Sequence, residues 1–354
     1  MPELPEVETL ARGLQARVAG RRIVSVTLRQ TDFMDDPVAI EQELPGRTIE
    51  RIERFGKFML LRLTAGEEPP EKNATESPRP SRGQRGHREK NGKRTASEKA
   101  AGVEGIPPGK NQARDDGDGT ESSTSRENER ALLVHLGMTG NLAPHFAGQP
   151  LAKHTHATFA LDDGRELRYV DPRRFGRMAY LAGETLAAEL HRFGADPLLV
   201  TAEEFAERIR GSKARIKALL MDQSVLRGVG NIYADESLWK AKIHPAQQGA
   251  QLKRDETDRL LAALQKILQK AIEMRGSSIS DFVDAEGLAG DYQQRHKVYA
   301  RDGKKCFRCG KTIRWMVVAG RSSHFCPLCQ RAPRRLTGRR KKAKRAGRVG
   351  RSKR

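Results

Sequence analysis

An α+β architecture in more than one domain is what this sequence predicts. Strand-like alternation and β-branched residues dominate residues 23–170. Apolar positions at helical spacing dominate residues 203–275. Two Cys-x2-Cys pairs then lie near the C-terminus. A length of 354 residues accommodates two or three domains. Taken in order, residues 5–18 place Val7, Leu10, Ala11, Leu14 and Val18 on one helical face, and Gly20 suits the position after a helix end. Residues 23–28, 48–52 and 57–63 read as strands, as do 131–136 and 157–161. Asp162-Asp163-Gly164-Arg165 then makes a hairpin turn into a strand over 166–170. Helices are expected over 203–209, 213–222, 232–240 and 255–275. Gly194, Asp196 and Pro197 mark a boundary between a strand-rich domain over 1–195 and a helical one over 196–295. Residues 296–330 form a third unit, and 331–354 a tail.

Charge narrows the function classes. The formal net charge is +21, which points to a polyanion, most simply nucleic acid. Its distribution is uneven. Residues 66–130 hold 13 basic and 13 acidic side chains, no aromatic residue, and only Val103 and Ile106 as large aliphatics. Such a segment cannot bury enough apolar surface to offset its ordering entropy, and it reads as a disordered, low-complexity insertion. Residues 331–354 hold 13 basic and no acidic side chains, a disordered basic tail. The rest of the chain carries only +8. No apolar run approaches the roughly 18 residues of a membrane span, and the N-terminus lacks the basic and apolar regions of a secretory signal. The expected compartment is reducing and cytoplasmic.

Cys306, Cys309, Cys326 and Cys329 have the spacing of a four-thiolate zinc site, two knuckles each presenting two sulfurs. Four protein thiolates leave no open coordination position, so one zinc ion is expected there in a structural role. The hairpin between the knuckles carries Arg314, Arg321 and His324, which could meet phosphates.

Two readings of the N-terminus stand side by side. Pro2 and Glu3 suit the first turn of a helix, where proline fits and acids complement the dipole. Alternatively, loss of Met1 frees a secondary amine at Pro2. An α-amino group is less basic than lysine, so more of it is a nucleophile at neutral pH, able to form an iminium with a sugar C1′. Glu3 beside it could carry the proton such a step moves.

The opening Met1-Pro2-Glu3-Leu4-Pro5-Glu6-Val7-Glu8-Thr9-Leu10 closely resembles the bacterial formamidopyrimidine-DNA glycosylases, enzymes that excise oxidised purines. Further motifs match in family order: Phe55-Gly56-Lys57, His135-Leu136-Gly137-Met138-Thr139-Gly140, Asp171-Pro172-Arg173-Arg174-Phe175-Gly176 and Gly228-Val229-Gly230-Asn231-Ile232-Tyr233-Ala234. The four-cysteine finger, with Gly320-Arg321 ahead of Cys326, closes the series.

The resemblance implies an N-terminal β-sandwich carrying the first helix, a helix–two-turns–helix domain and a zinc finger. It implies a bifunctional glycosylase and abasic-site lyase of base excision repair, acting on 8-oxoguanine and formamidopyrimidines in double-stranded DNA. Pro2 would form the Schiff base, Glu3 would assist sugar-ring opening, and Lys57 would serve β-elimination. Arg321 would bind phosphate and assist δ-elimination. Met138, Arg173 and Phe175 would fill the hole left by the flipped nucleotide. Asn231, Lys217, Lys213 and His154 would contact the DNA backbone, and Glu236 would order the site. A monomer at the nucleoid is the expected state, with no membrane partner.

The chain departs from the family in the insertion, in the tail, in Ala300 within Tyr299-Ala300-Arg301, and in Ser280 where a basic residue is common. The last of these bears on lesion preference. The nearest rival is the endonuclease VIII type, which removes oxidised pyrimidines; the opening Pro-Glu-Leu-Pro-Glu and Arg173-x-Phe175 favour the purine enzyme. A catalytically silent damage binder would need neither Pro2, Glu3 nor Lys57. A zinc-ribbon module would explain residues 296–354 alone.

Overall fold

A computed structural model describes residues 1–64, 128–278 and 287–333. The disorder expected of the insertion falls mostly outside these residues, as do Ser280 and the tail from residue 334.

Among the described residues, eight strands build the N-terminal domain: β1 (Ile23–Leu28), β2 (Ile49–Phe55), β3 (Phe58–Leu63), β4 (Arg130–His135), β5 (Asn141–Phe146), β6 (Thr155–Leu161), β7 (Arg165–Val170) and β8 (Arg177–Ala182). They form two antiparallel four-stranded sheets, ordered β1-β6-β7-β5 and β2-β3-β4-β8. One core joins them, as expected of a sandwich: Ile23, Phe159, Leu167 and Tyr169 from the first sheet meet Ile49, Met59, Leu61, Val134 and Met178 from the second. The period-two alternation of strands decides which residues do so. Met59, Leu61 and Leu63 enter the shared core. Leu60 points the other way, to Ala131, Leu133, Ala179 and Leu186 of α3 (Gly183–His191). Each such aliphatic contributes about 1.5–3 kcal/mol on burial, so a one-residue slip that exchanged the faces would be costly. Leu63 lies opposite Arg130, so the chain leaves β3 and re-enters β4 at adjacent strand ends.

Helix α1 (Leu4–Val18) ties this sandwich to the next domain. Val7, Leu10, Leu14 and Val18 pack into the sandwich core, whereas Leu4 joins the helical core. That second core is built by α4 (Ala202–Ile209), α5 (Ile216–Met221), α6 (Asn231–Ala241) and α7 (Arg254–Glu273), around Phe205, Leu220, Tyr233, Leu238, Leu260 and Leu264. The helix expected from residue 213 starts at Ile216. Residues 212–216 instead pair with the backbone of 247–250: Ile216 N–H donates to Gln247 O at 2.7 Å and Ala250 N–H to Ser212 O at 2.8 Å.

Among the described residues, two α-helices and two strands went unforeseen. Helix α2 (Pro37–Glu43) starts from Asp36, whose carboxylate accepts from Ala39 N–H at 3.0 Å, with Pro37 in the first turn. Strand β5 contains Pro144, tolerated because β5 is an edge strand. The other two are β8 and α3. In the finger, β9 (Arg314–Val318) and β10 (Arg321–Phe325) form the expected hairpin. Its tip, Ala319-Gly320, has positive φ at both residues (48° and 72°), as a type I′ turn requires.

Candidate active site

Three remote segments meet at the N-terminus. Leu4 N–H donates to Gly228 O at 3.0 Å, bringing the start of α1 against the loop before α6. The Glu3 carboxylate is buried at the head of α6, where Ile232 N–H donates to Oε1 at 2.9 Å and Tyr233 N–H to Oε2 at 3.4 Å. These are first-turn amides that lack an intrahelical partner, and the helix dipole favours an anion there. Gly230 makes the approach possible, because a Cβ on it would fall 2.4 Å from Glu3 Cδ. Burial pushes the Glu3 carboxyl up to about 7, opposed by the Lys57 ammonium and the two amides. A carboxyl near that value can give and take a proton at neutral pH. Pro2 is buried and Met1 is 49% exposed.

Lys57 follows Gly56 in the turn between β2 and β3 and is also buried. Burial lowers its ammonium below the usual lysine range and the Arg321 charge pushes the same way, while Glu3 pulls it up. Arg321 opens β10 and is exposed. Glu3 and Lys57 of the N-terminal domain and Arg321 of the finger therefore share one electrostatic neighbourhood through Lys57.

Behind them lies a network that the sequence did not single out. The Glu6 carboxylate accepts from Glu3 N–H (2.8 Å), from Ser277 N–H (2.6 Å) and from the Tyr233 hydroxyl (2.5 Å). Ser277 Oγ lies 3.1 Å from His296 Nε2. Burial raises the Glu6 carboxyl, its hydrogen bonds oppose this, and burial holds the His296 imidazole down at about 4. The Glu3-x-x-Glu6 spacing at a helix start was the available signal.

Met138, Arg173 and Phe175 project together from two loops, with Met138 40% and Phe175 61% exposed. Arg173 Nη1 reaches Met138 Sδ at 3.9 Å. Asp171, fully buried, holds both loops: Thr139 Oγ1 donates to it at 2.6 Å, Arg173 N–H at 3.2 Å and Gly176 N–H at 3.0 Å. The motif contains Asp171, but its pinning role was not read from sequence. Met138 and Phe175 are thus surface residues and not core.

The remaining expected residues separate. Lys213 is exposed, His154 half-buried, and Asn231 half-buried at the start of α6 with its Nδ2 3.4 Å from Ser322 Oγ of the finger. Lys217 is a correction. Its side chain is fully buried, ion-paired to Asp235 at 2.7 Å and donating to Ser322 O at 2.6 Å, so it fastens α5 to α6 and the finger and presents no charge to a phosphate. His324 is likewise turned inward: its N–H donates to Asp235 Oδ2 at 2.8 Å and its Nδ1 lies 3.2 Å away. Glu236 orders structure as expected. Its buried carboxylate accepts from the consecutive N–H groups of Lys297, Val298 and Tyr299 at 2.8–2.9 Å.

The four cysteine sulfurs all lie within 4.8 Å of one another. A zinc ion with Zn–S bonds of about 2.3 Å needs sulfurs roughly 3.8 Å apart, so the set fits one structural zinc held by Cys306, Cys309, Cys326 and Cys329. N–H groups support the thiolates: Trp239 Nε1 and Arg308 N–H reach Cys306 Sγ at 3.5 and 3.4 Å.

Three family models match the chain in order: the formamidopyrimidine-DNA glycosylase N-terminal domain over 1–75 and 116–178, its H2TH domain over 193–283, and the zinc finger found in FPG and IleRS over 303–332. The formamidopyrimidine-DNA glycosylase of Herpetosiphon aurantiacus is 35% identical over 335 residues, covering 93% of this chain and 100% of the relative. The chain belongs to the formamidopyrimidine-DNA glycosylase family. The Solibacter usitatus member is 36% identical, with 94% of this chain and all of the relative covered. Among solved structures, a mutant Lactococcus lactis FPG in complex with DNA containing Fapy-dG superposes with a TM-score of 0.71 at 29% identity. It covers 94% of this glycosylase-family chain and 100% of its own. A MutM complex with DNA containing carbocyclic 8-oxo-G gives the same TM-score, identity and coverage. The sandwich, H2TH domain and zinc finger of this family account for the fold described above. Among the described residues no helix is long and apolar enough to cross a membrane.

Proposed function

We propose that this protein is a bifunctional DNA glycosylase and abasic-site lyase that excises oxidised purines, 8-oxoguanine and formamidopyrimidines, from double-stranded DNA. The observation that carries the reading is that buried Lys57 feels the charges of both Glu3 and Arg321, with Pro2 buried next to Glu3 in the chain. Once Met1 is removed, the Pro2 nitrogen attacks C1′ of the damaged nucleotide, the glycosidic bond breaks, and the base leaves with a proton. The nitrogen, having given up its proton, is left bonded to C1′ of the still-closed sugar. Glu3, its carboxyl raised by burial, passes a proton to O4′; the C1′–O4′ bond breaks, the ring opens and the nitrogen holds the sugar as an iminium. Loss of a C2′ proton expels the 3′ phosphate. Lys57 stands on that side of the reaction, and Arg321 steadies phosphate through δ-elimination. Met138, Arg173 and Phe175 occupy the hole left by the extruded nucleotide, and Asn231, Lys213 and His154 meet backbone phosphates.

In this reading residues 1–195, 196–295 and 296–330 are the working domains, and the protein acts as a monomer on nucleoid DNA. Oxidised pyrimidines are the second reading, supported by a Lactococcus lactis FPG complex with oxidised-pyrimidine DNA. Borohydride trapping tests both. A covalent adduct mapped to Pro2 on an 8-oxoguanine duplex is expected. Trapping on the pyrimidine duplex alone would favour the second reading, and no adduct on either would overturn the enzyme reading.

A further inference from the structure

At the end of α6 remote from Asn231, a cavity of about 430 Å3 opens between α6, α7 and the short 3-10 helix Tyr292–Arg295. Eight residues of helix separate Asn231 from Trp239, about 12 Å along the axis. The floor is apolar, formed by Trp239, Ile267 and Tyr292, while Lys240, Lys266 and Arg295 stand on the rim. The acids beside them are already engaged. Glu236 is taken by three backbone N–H groups, and Glu273 pairs with Lys270 at 2.9 Å. Among the described residues no carboxylate pairs with Lys240, Lys266 or Arg295. Burial, together with the like charges of Lys266 and Arg308, lowers the Lys240 ammonium.

We propose that this cavity docks an acidic linear segment of a partner protein, seating one aromatic or aliphatic side chain on Trp239 and Ile267 and its carboxylates on Lys240, Lys266 and Arg295. Charge complementarity selects the occupant. Three crowded cations without acidic partners are relieved by an anionic segment, and the apolar floor rewards an anchor side chain. Duplex DNA fits less well, because its convex phosphate ridge would reach the rim and leave the concave floor wet. A free anion would leave the floor uncovered too. The inference is independent of the excision chemistry.

The protein carries its own reporter. Of its two tryptophans, Trp239 lines the cavity and Trp315 is 57% exposed on β9. Trp315→Phe leaves Trp239 as the single emitter. A synthetic peptide of four aspartates followed by Leu-Phe should then shift its emission saturably. The midpoint should rise at least tenfold in Lys266→Glu protein, and equally when the peptide's phenylalanine is replaced by alanine. Excision from a lesion duplex should stay unchanged in Lys266→Glu. No saturable shift at millimolar peptide would overturn the proposal. So would equal binding of the alanine peptide or of inorganic polyphosphate, which would make this a simple anion site. Displacement of the peptide by lesion-free duplex, with Lys266→Glu weakening duplex binding tenfold, would make it a DNA contact instead.

Discussion

Lys217 and Asp235 form a 2.7 Å ion pair in which neither side chain reaches solvent. The same Asp235 accepts from His324, and the same Lys217 donates to Ser322 O, so one buried pair clamps α5, α6 and the finger hairpin together. Removing one member leaves the other charged and buried, at a cost of about 3–5 kcal/mol. Lys217→Ala should therefore lower the denaturation midpoint sharply and speed zinc release to a chelator. The double variant Lys217→Met with Asp235→Asn should recover much of that loss. An unchanged midpoint in Lys217→Ala would contradict the clamp.

Glu3 predicts an unusual pH dependence. Its carboxyl stands at about 7 in the folded protein against 4.5 in the unfolded chain. Between those values the folded state holds a proton that the unfolded state has released, so stability is greatest below pH 4.5 and falls as pH rises through about 7. Glu3→Gln removes this penalty. It should raise the melting temperature at pH 8 relative to the parent, by at most about 3 kcal/mol of stability, with the gap closing toward pH 5. The measurement belongs on a form that keeps Met1. In the processed chain the Pro2 ammonium pulls Glu3 back down and the gap should shrink.

Asp171 holds both protruding loops, so Asp171→Asn should let Met138, Arg173 and Phe175 drift apart. Excision from duplex should drop by at least tenfold, while cleavage of a single-stranded abasic oligonucleotide, which needs no hole filled, should change little. Gly176→Ala tests the same packing by sterics, since its Cβ would fall 1.8 Å from Tyr169 Oη. That variant should be destabilised by about 1–3 kcal/mol, read by urea denaturation. Equal losses on both substrates in Asp171→Asn would argue against loop orientation as the cause.

Zinc removal should act through the hairpin. Without the four thiolates held together, β9 and β10 lose their anchor, and the Ser322 contacts to Lys217 and Asn231 go with them. Chelation under denaturing stress followed by refolding should give protein with a normal sandwich by circular dichroism but with DNA binding lost. Readdition of zinc should restore it.

Much of this was legible in the chain. The strand at 23–28 and the helix at 255–273 show themselves because one face of each is buried, and burial leaves a periodic trace; the strand at 58–63, buried on both faces, shows itself as a short apolar run. The cysteines show themselves because their spacing is the ligand geometry. Strand β8 and helix α3 were not visible, since Met178, Ala179 and Leu186 face different cores and break any single period. Within the site, Pro2, Glu3 and Lys57 stood out by motif. Glu6 and Asp171 did not, because their partners Ser277 and Thr139 are remote in sequence and a hydrogen bond across 271 or 32 residues leaves no spacing to read. Lys217 was expected at the DNA backbone through the family resemblance, and its buried pairing with Asp235, 18 residues on, leaves no spacing to read.

The bond between Glu6 and Ser277 also sets an order of events during synthesis. The first residues to leave the ribosome are among the last to find their partners, because Ser277 N–H follows Glu6 by 271 residues and the finger follows later still. At 5–20 residues per second that interval is on the order of tens of seconds. On the chemistry proposed above, a proline amine freed early in translation would stay an ordinary exposed terminus, and would become a seated nucleophile only once Ser277 and the finger hairpin had emerged.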